Sequence, residues 1–181
     1  MTKVFIFRGK AASGKSSLAN RLAKELRITV FCKDDILEPI KVCEAIDDRG
    51  LRNEVCYRVL ERLVQRSVDN GADIILDIGL GDRGLAEYFI NQIDFKDSEV
   101  ISFFVECKNM DEWKRRHEER IANPLPSQSF KSFDHVLSHY ENFDGRLFKN
   151  EYEIDSSRSV SESFTELLRI LNDKPRTIAM T

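Results

Sequence analysis

The chain has 181 residues, of which 41% are hydrophobic, and its formal net charge at pH 7 is −3. This length suffices to bury one core, so we expect a single domain over residues 1–181. The small net charge gives no global attraction to nucleic acid or to a membrane surface, and the apolar runs are too short for a signal peptide or a membrane span, so we expect a cytoplasmic protein.

Strands and helices are predicted to alternate along the chain. Short apolar runs typical of buried strands occur at residues 4–7, 28–31, 74–78 and 100–105, with a weaker fifth run at residues 152–154. Apolar residues at the spacing of amphipathic helices form three groups: Leu18, Leu22 and Leu26; Leu51, Val55, Val59 and Leu63; and Val160, Phe164, Leu167, Leu168 and Leu171. Ser159 and Glu162 have capping-box spacing before the last helix. This alternation predicts a parallel α/β sheet.

Residues 9–16, Gly-Lys-Ala-Ala-Ser-Gly-Lys-Ser, match the pattern G-x-x-x-x-G-K-(S/T) between the first strand and the first helix. Gly9 permits a sharp turn, after which backbone amides can cradle phosphate oxygens at the positive end of the helix. Lys15 is expected to reach the β- and γ-phosphates, and the Ser16 hydroxyl to bind Mg²⁺. The residues expected to bind nucleotide are Gly9, Lys10, Ala11, Ala12, Ser13, Gly14, Lys15, Ser16 and Ser17.

Acidic residues follow two of the predicted strands. Asp34 and Asp35 come after the second strand, where paired acids are typical of the first turn of a helix. Asp77 closes the third strand and is a candidate carboxylate for holding Mg²⁺ through water, with a turn or cap role as the alternative. Because the carboxyl ends of parallel strands share one edge of the sheet, nucleotide and acceptor are expected to meet there.

A phosphate-binding loop occurs in several classes of protein, so it does not define the reaction. The sequence has no Asn-Lys-x-Asp guanine-recognition motif, which disfavours a regulatory GTPase, and it is short for a multi-subunit ATPase motor. The acids after the second strand and the late Arg116-x-x-x-Arg120 favour a small kinase.

With these motifs in this order, the chain resembles the P-loop kinases of the adenylate-kinase-like branch, with a layout similar to chloramphenicol phosphotransferase, zeta toxin and the polynucleotide 5′-kinase domain. The resemblance implies a three-layer α/β/α fold with a five-stranded parallel sheet of order 2-3-1-4-5, and ATP and Mg²⁺ as cofactors. It implies that Asp34 is the base or the acceptor-orienting group. It also implies a lid at about residues 109–127, with Arg116 near adenine and Arg120 near the transferring phosphate; a solvated, charged helix is the alternative.

The resemblance is incomplete on the acceptor side. Shikimate and gluconate kinases carry Asp-x-Asp where this chain has Asp34 and Asp35 adjacent, and Leu37 stands near the position of an acceptor-gripping arginine in polynucleotide kinases. The stretch from Asp77 to Arg83 resembles the acceptor-side loop of the latter enzymes. Asp34, Asp35 and Arg83 are therefore the candidate acceptor contacts.

The sequence thus predicts an ATP-dependent phosphotransferase that acts on a hydroxyl of a small molecule such as a nucleoside, an antibiotic or a sugar. A 5′-hydroxyl polynucleotide kinase and a non-catalytic, nucleotide-dependent binding module are the alternatives, and a monomer or a homodimer is expected. His135 and His139 lie four residues apart with no third ligand nearby, which favours a pair on a helix surface over a metal site. The four cysteines lack metal or disulfide spacing and are expected to be reduced thiols.

Overall fold

A five-stranded parallel sheet forms the centre of the protein. The computed structural model describes residues 1–41, 48–124 and 130–173. Three features of the sequence lie outside these ranges, namely Cys43, residues 125–127 of the predicted lid, and Pro175.

The strands are β1 (Lys3–Arg8), β2 (Thr29–Cys32), β3 (Ile74–Asp77), β4 (Glu99–Glu106) and β5 (Tyr152–Asp155). Their order in the sheet is β2-β3-β1-β4-β5, and all four pairings are parallel, which confirms the predicted fold and strand order. Each strand agrees with its predicted run to within one residue at either end, because continuous apolar runs are what a sheet covered on both faces requires.

The helices are α1 (Lys15–Leu26), α2 (Lys33–Lys41), α3 (Arg49–Asp69), α4 (Arg83–Ile90), α5 (Met110–Ala122), α6 (Phe133–His139) and α7 (Val160–Asn172). One face of the sheet packs against α3 and α4, and the opposite face packs against α1 and α7, so the core has three layers. No helix in the described ranges is long and apolar enough to cross a membrane.

Besides the apolar clusters on the two faces of the sheet, a third apolar cluster includes parts of α5 and α6. Trp113 and Val136 pack there with Ala12 of the loop that follows β1. This cluster places α5 and α6 at the carboxyl edge of the sheet, next to the phosphate loop, which we define as residues 9–16.

The buried stripe of α3 differs from the most regular spacing in the sequence. Leu51 and Val59 are 48% and 36% exposed, whereas the side chains that face the sheet belong to Cys56, Leu60, Val64 and Val68. The helix carries two overlapping apolar stripes, and packing against the sheet selects one of them.

The second helix starts directly at the end of β2, without an intervening loop. Asp34 and Asp35 both lie in its first turn, where their negative charges interact favourably with the positive end of the helix dipole. Pro39 lies inside the helix, which continues to Lys41 even though proline removes one backbone hydrogen bond.

Candidate active site

The phosphate loop has a backbone that only certain residues can adopt. Gly9 and Gly14 have φ values of 144° and 89°, and Ala12 between them has a φ of 57°. A Cβ atom on Gly9 would lie 2.1 Å from the carbonyl oxygen of Val105, so β4 excludes any larger residue there. The hydroxyl of Ser13 is buried and has no hydrogen-bond partner among the described residues. A loop with an unpartnered donor and strained backbone fits an anionic ligand.

Lys15 lies at the start of α1 with only 8% of its surface exposed. Its Nζ atom donates a hydrogen bond to the carbonyl of Lys10 at 3.0 Å. Burial lowers the pKa of Lys15, while the carboxylates of Asp77 and Asp34 oppose this shift and Arg120 adds to it. The ammonium group therefore sits in a site where further negative charge would stabilise it.

Asp77 ends β3 beside Lys15 and is 4% exposed. Burial raises the pKa of Asp77, and this shift is opposed by Lys15 and by a hydrogen bond from the Ser16 side chain. No group of three His, Cys, Asp or Glu side chains that could hold a metal occurs within the described ranges. One carboxylate and one hydroxyl nevertheless fit Mg²⁺, which usually takes few protein ligands and completes its shell with phosphates and water.

The adjacent acids of α2 differ in what their charges reach. Asp34 influences the pKa values of both Lys15 and Asp77, which places its carboxylate near these groups. The charge of Asp35 acts on Cys32, as that of Asp34 also does, and the Sγ atom of Cys32 lies 3.9 Å from Asp77 Oδ2. Burial, followed by the charge of Asp77, raises the pKa of Cys32 to about 12, so this thiol remains protonated at neutral pH.

The two arginines of α5 occupy different places. Arg120 lowers the pKa of Lys15, so its charge lies toward the phosphate loop. Arg116 donates to the carbonyl of Ser156 at 2.6 Å and to Glu112 Oε1 at 2.8 Å. Arg116 therefore links α5 to the loop that follows β5.

An open cleft of about 850 Å³ lies between the phosphate loop, α5 and the start of α7. Its lining residues are Ala12, Gly14, Ser17, Glu112, Arg115, Arg116, Glu119, Arg120, Asn123, Ser157, Arg158, Ser159 and Val160. The volume falls in the range of small-molecule sites, and the position next to the start of α1 suits the base and ribose of a nucleotide.

Arg83 begins α4 and packs against the segment before β5. Its Nη1 atom donates to the carbonyl of Leu147 at 2.6 Å, and its Nη2 atom lies 3.7 Å from Glu87 Oε1. The structure thus brings Lys15, Ser16, Asp77, Asp34 and Arg120 toward one point, whereas the guanidinium of Arg83 is held by Leu147 and Glu87.

The two histidines of α6 lie with their rings at the edge of Phe130. The ring centroids of His135 and His139 are 5.5 Å and 5.2 Å from that of Phe130. Both histidine side chains are exposed, as expected for a pair on a helix surface.

Sequence reasoning missed Arg8, the residue directly before the phosphate loop. Its side chain is fully buried and binds both oxygens of Glu151, at 2.8 Å from Nε and 2.6 Å from Nη2. It also donates to the carbonyl of Gly81 at 2.7 Å and is sandwiched by the rings of Phe104 and Phe148. Arg8 thereby fixes the loop after β3 against the loop after β1. An arginine that ends an apolar strand was the available signal, but its partner lies 143 residues away.

Sequence reasoning also missed Trp113 and Tyr140. Both hydrogen-bond to the backbone of Ala11, from α5 and from the end of α6. On α5 the side chains of Trp113 and His117 are buried, so the helix has a buried face as well as a charged, solvated one.

Comparisons with known proteins agree with this architecture. A family model, AAA_33, described as an AAA domain, matches residues 4–141. No curated protein matches the sequence significantly. The solved structure of a protein from Chloroflexus aurantiacus is similar, with a TM-score of 0.72 and 18% identity over 95% of this chain and 97% of that chain.

Two further structures have the same fold. A gluconokinase from Sinorhizobium meliloti has a TM-score of 0.67 and 17% identity, over 96% of this chain and 93% of that chain. An APS kinase from Mycobacterium tuberculosis, in complex with AMPPNP and APS, has a TM-score of 0.58 and 16% identity, over 94% and 98% of the two chains. At such identities the likeness establishes the fold.

Proposed function

The chain belongs to the family of AAA domains that matches more than half of its length, and we propose from this premise that it is an ATP- and Mg²⁺-dependent phosphotransferase acting on a hydroxyl of a small molecule. The observation that carries the proposal is that Asp34 follows β2 by two residues, where Cys32 is the register partner of Asp77, so that both carboxylates lie at the edge of the sheet where Lys15 is buried. A module that only binds nucleotide has no need of a second carboxylate beside the phosphate site.

Each group has a role in this reaction. The amides of the phosphate loop and Lys15 would bind the β- and γ-phosphates, and Ser16 and Asp77 would hold Mg²⁺. Bound Mg²⁺ supplies charge neutralisation for the phosphate oxygens. The acceptor hydroxyl attacks the γ-phosphorus, the bond between that phosphorus and the β,γ-bridging oxygen breaks, and Asp34 takes the hydroxyl proton. Arg120 offsets charge on the transferring group, while Arg116 orders the nucleotide side of the cleft.

The comparisons support this proposal at the level of reaction class. Two of the structural neighbours are named as kinases, and one of them holds AMPPNP, an analogue of ATP. We extend the proposal to the architecture, taking residues 1–181 as one domain and α5 as the helix of a lid over the nucleotide.

The experiment that tests the proposal is a transfer assay with γ-labelled ATP and Mg²⁺. The acceptor panel contains nucleosides, aminoglycoside-like and phenicol antibiotics, sugars and 5′-hydroxyl oligonucleotides. Label on a small molecule, lost in the Asp34→Asn variant, is the expected result. Nucleotide exchange without transfer to any acceptor would instead identify a binding module.

A 5′-hydroxyl polynucleotide kinase is the second candidate, because the stretch from Asp77 to Arg83 resembles the acceptor-side loop of those enzymes; the Arg83 guanidinium itself is held by Leu147 and Glu87. Salt distinguishes the two candidates, because a protein that contacts several phosphates of a strand loses affinity steeply as ionic strength rises. Acceptor KM that is nearly constant between about 50 and 200 mM salt supports a small, neutral acceptor.

A further inference from the structure

The backbone of Ala11 is held at its amide and at its carbonyl by aromatic residues. Trp113 Nε1 donates to the Ala11 carbonyl at 2.9 Å, and the Ala11 amide donates to the hydroxyl oxygen of Tyr140 at 2.7 Å. We call Trp113 and Tyr140 the aromatic clasp. The two residues come from different helical segments, α5 and the end of α6, and they hold the two successive peptides that meet at Ala11 of the phosphate loop.

Several contacts fix the clasp in place. Trp113 is 4% exposed, and its ring lies 5.9 Å from that of Tyr140 and 5.4 Å from that of Phe133. The ammonium of Lys10 lies over both clasp rings, at 5.3 Å and 5.8 Å from their centroids, and 3.7 Å from Glu106 Oε1. Cation–π attraction thus holds the residue before Ala11 on the same surface.

The clasp acts immediately before the strained point of the loop. Ala12 has a φ of 57°, in the left-handed region that residues with a Cβ seldom occupy. Such a conformation persists only where the surroundings determine it, and the hydrogen bond from Trp113 to the Ala11 carbonyl fixes the peptide that leads into Ala12. The amides that follow Ala12 depend on this conformation for their direction.

The clasp also connects the loop with the arginines of α5. Trp113, Arg116 and Arg120 are spaced by three and four residues, so they share one face of the helix. Burial raises the pKa of Tyr140 and lowers that of Lys15, and the charge of Arg120 opposes the first shift and adds to the second. A shift of α5 against the loop would therefore move the arginines relative to Lys15.

We propose that Trp113 and Tyr140 are positioning residues that set the shape of the phosphate loop and the distance from the loop to Arg116 and Arg120. This inference rests on the proposed function in that its ligand is a nucleotide. In this proposal the loop is positioned by the hydrogen bonds of the clasp and not only by the packing of its rings.

The direct test uses Tyr140→Phe, which keeps the ring and removes the hydroxyl, in the nucleotide-free protein. Amide hydrogen exchange at Ala11, measured by NMR, is expected to accelerate by about tenfold because the amide loses its partner. Tyr88→Phe, on the exposed side of α4, is the matched control and should leave Ala11 exchange unchanged. Wild-type exchange at Ala11 in Tyr140→Phe would overturn the proposal. Should this variant not fold, Trp113→Phe removes the hydrogen bond to the Ala11 carbonyl and should likewise accelerate exchange at the Ala11 amide, and an unchanged rate would overturn the proposal.

A second measurement follows the nucleotide. Trp113 is the sole tryptophan of the sequence, so its fluorescence reports on the loop directly. Titration with AMPPNP and Mg²⁺ should change the emission, and Tyr140→Phe should weaken binding by about fivefold. In turnover, Tyr140→Phe should raise the KM for ATP more than it lowers kcat, whereas Trp113→Phe should lower kcat as well because it frees the helix that carries Arg120.

The two proposals fail in different ways. Wild-type protein that does not bind AMPPNP contradicts the proposed function, while the exchange rate at Ala11 still decides whether the clasp holds the loop. Normal nucleotide binding together with wild-type KM and kcat in Tyr140→Phe contradicts the clasp and leaves the proposed function standing.

Discussion

One buried cation precedes the phosphate loop and another lies within it, and their surroundings differ. Arg8 donates four hydrogen bonds, two of them to the oxygens of the buried carboxylate of Glu151. Lys15 is buried with a lowered pKa and donates to one carbonyl oxygen within the loop itself. Arg8 thus serves the architecture, whereas Lys15 is a charge whose environment improves when an anion binds.

Replacing Lys15 with Met should lower turnover by about a thousandfold, because the cation at the β- and γ-phosphates is lost. The fold should survive, since burial already disfavours the charge that the substitution removes. Turnover and thermal unfolding measure the two effects. Lys24→Met, on the exposed side of the same helix, is the control and should retain wild-type turnover. Near-normal activity in folded Lys15→Met protein would contradict the site.

The adjacent acids of α2 give a matched pair of variants. Asp34→Asn should lower kcat by about a hundredfold with little change in nucleotide affinity, because a positioned base is lost. Asp35→Asn should affect mainly stability or acceptor KM, since the charge of Asp35 favours the first turn of α2. Steady-state kinetics with both substrates separates these outcomes. A large loss in Asp35→Asn with a small one in Asp34→Asn would reverse the assignment.

At the scale of elements, the helices and strands that could be predicted were those determined by residues close together in the sequence. The strands followed from continuous apolar runs, and the cap of α7 followed from Ser159 and Glu162, whose side chains form the predicted capping box. The phosphate loop was likewise readable, because its motif fits within residues 9–16.

The features that sequence reasoning missed depend on distant contacts. Glutamate and arginine side chains alternate on α5 in a way typical of a solvated helix, and only the fold shows that Trp113 faces Ala11, 102 residues away in sequence. The buried pair of Arg8 and Glu151 is similarly remote. The α3 helix has two apolar stripes, and the one that is buried is determined by packing against the sheet.

The different contacts of Arg116 and Arg120 predict different roles for these two residues of α5. Arg120→Ala should lower kcat by about a hundredfold, because the charge near Lys15 acts on the transferring phosphate. Arg116→Ala should mainly raise the KM for ATP, because it loosens the Ser156 carbonyl beside the cleft. Lys114→Ala, an exposed residue of α5 with an ion pair to Glu118 outside the cleft, is the control and should change neither value greatly. Equal effects of the first two substitutions would contradict this division.

At the scale of the molecule, the carboxyl edge of the sheet differs from the two faces of the sheet, because it holds buried groups whose charged forms are disfavoured by burial. The two clusters on the sheet faces are apolar, whereas at this edge burial raises the pKa of Asp77 and lowers that of Lys15. Both shifts mean that burial disfavours the charged forms despite the mutual attraction of the two groups. The fold therefore carries a cost at the site, which a bound metal and nucleotide would relieve.

Asp77→Asn should accordingly stabilise the ligand-free protein while abolishing turnover. Because the folded pKa of Asp77 is raised, the stability that this group contributes is present below its unfolded value of about 4 and is lost as pH rises through the folded value. The free energy of unfolding of Asp77→Asn should thus exceed that of wild type by on the order of 1 kcal/mol at pH 8, with a smaller difference at pH 4. Urea unfolding at both pH values, with and without Mg²⁺ and AMPPNP, measures these free energies.

Ligand at about 100 times its Kd should add about 2.7 kcal/mol to the free energy of unfolding of wild type and much less to that of Asp77→Asn, which loses the carboxylate proposed to hold Mg²⁺. A variant less stable than wild type at pH 8 would show that attraction to Lys15 outweighs the burial of Asp77.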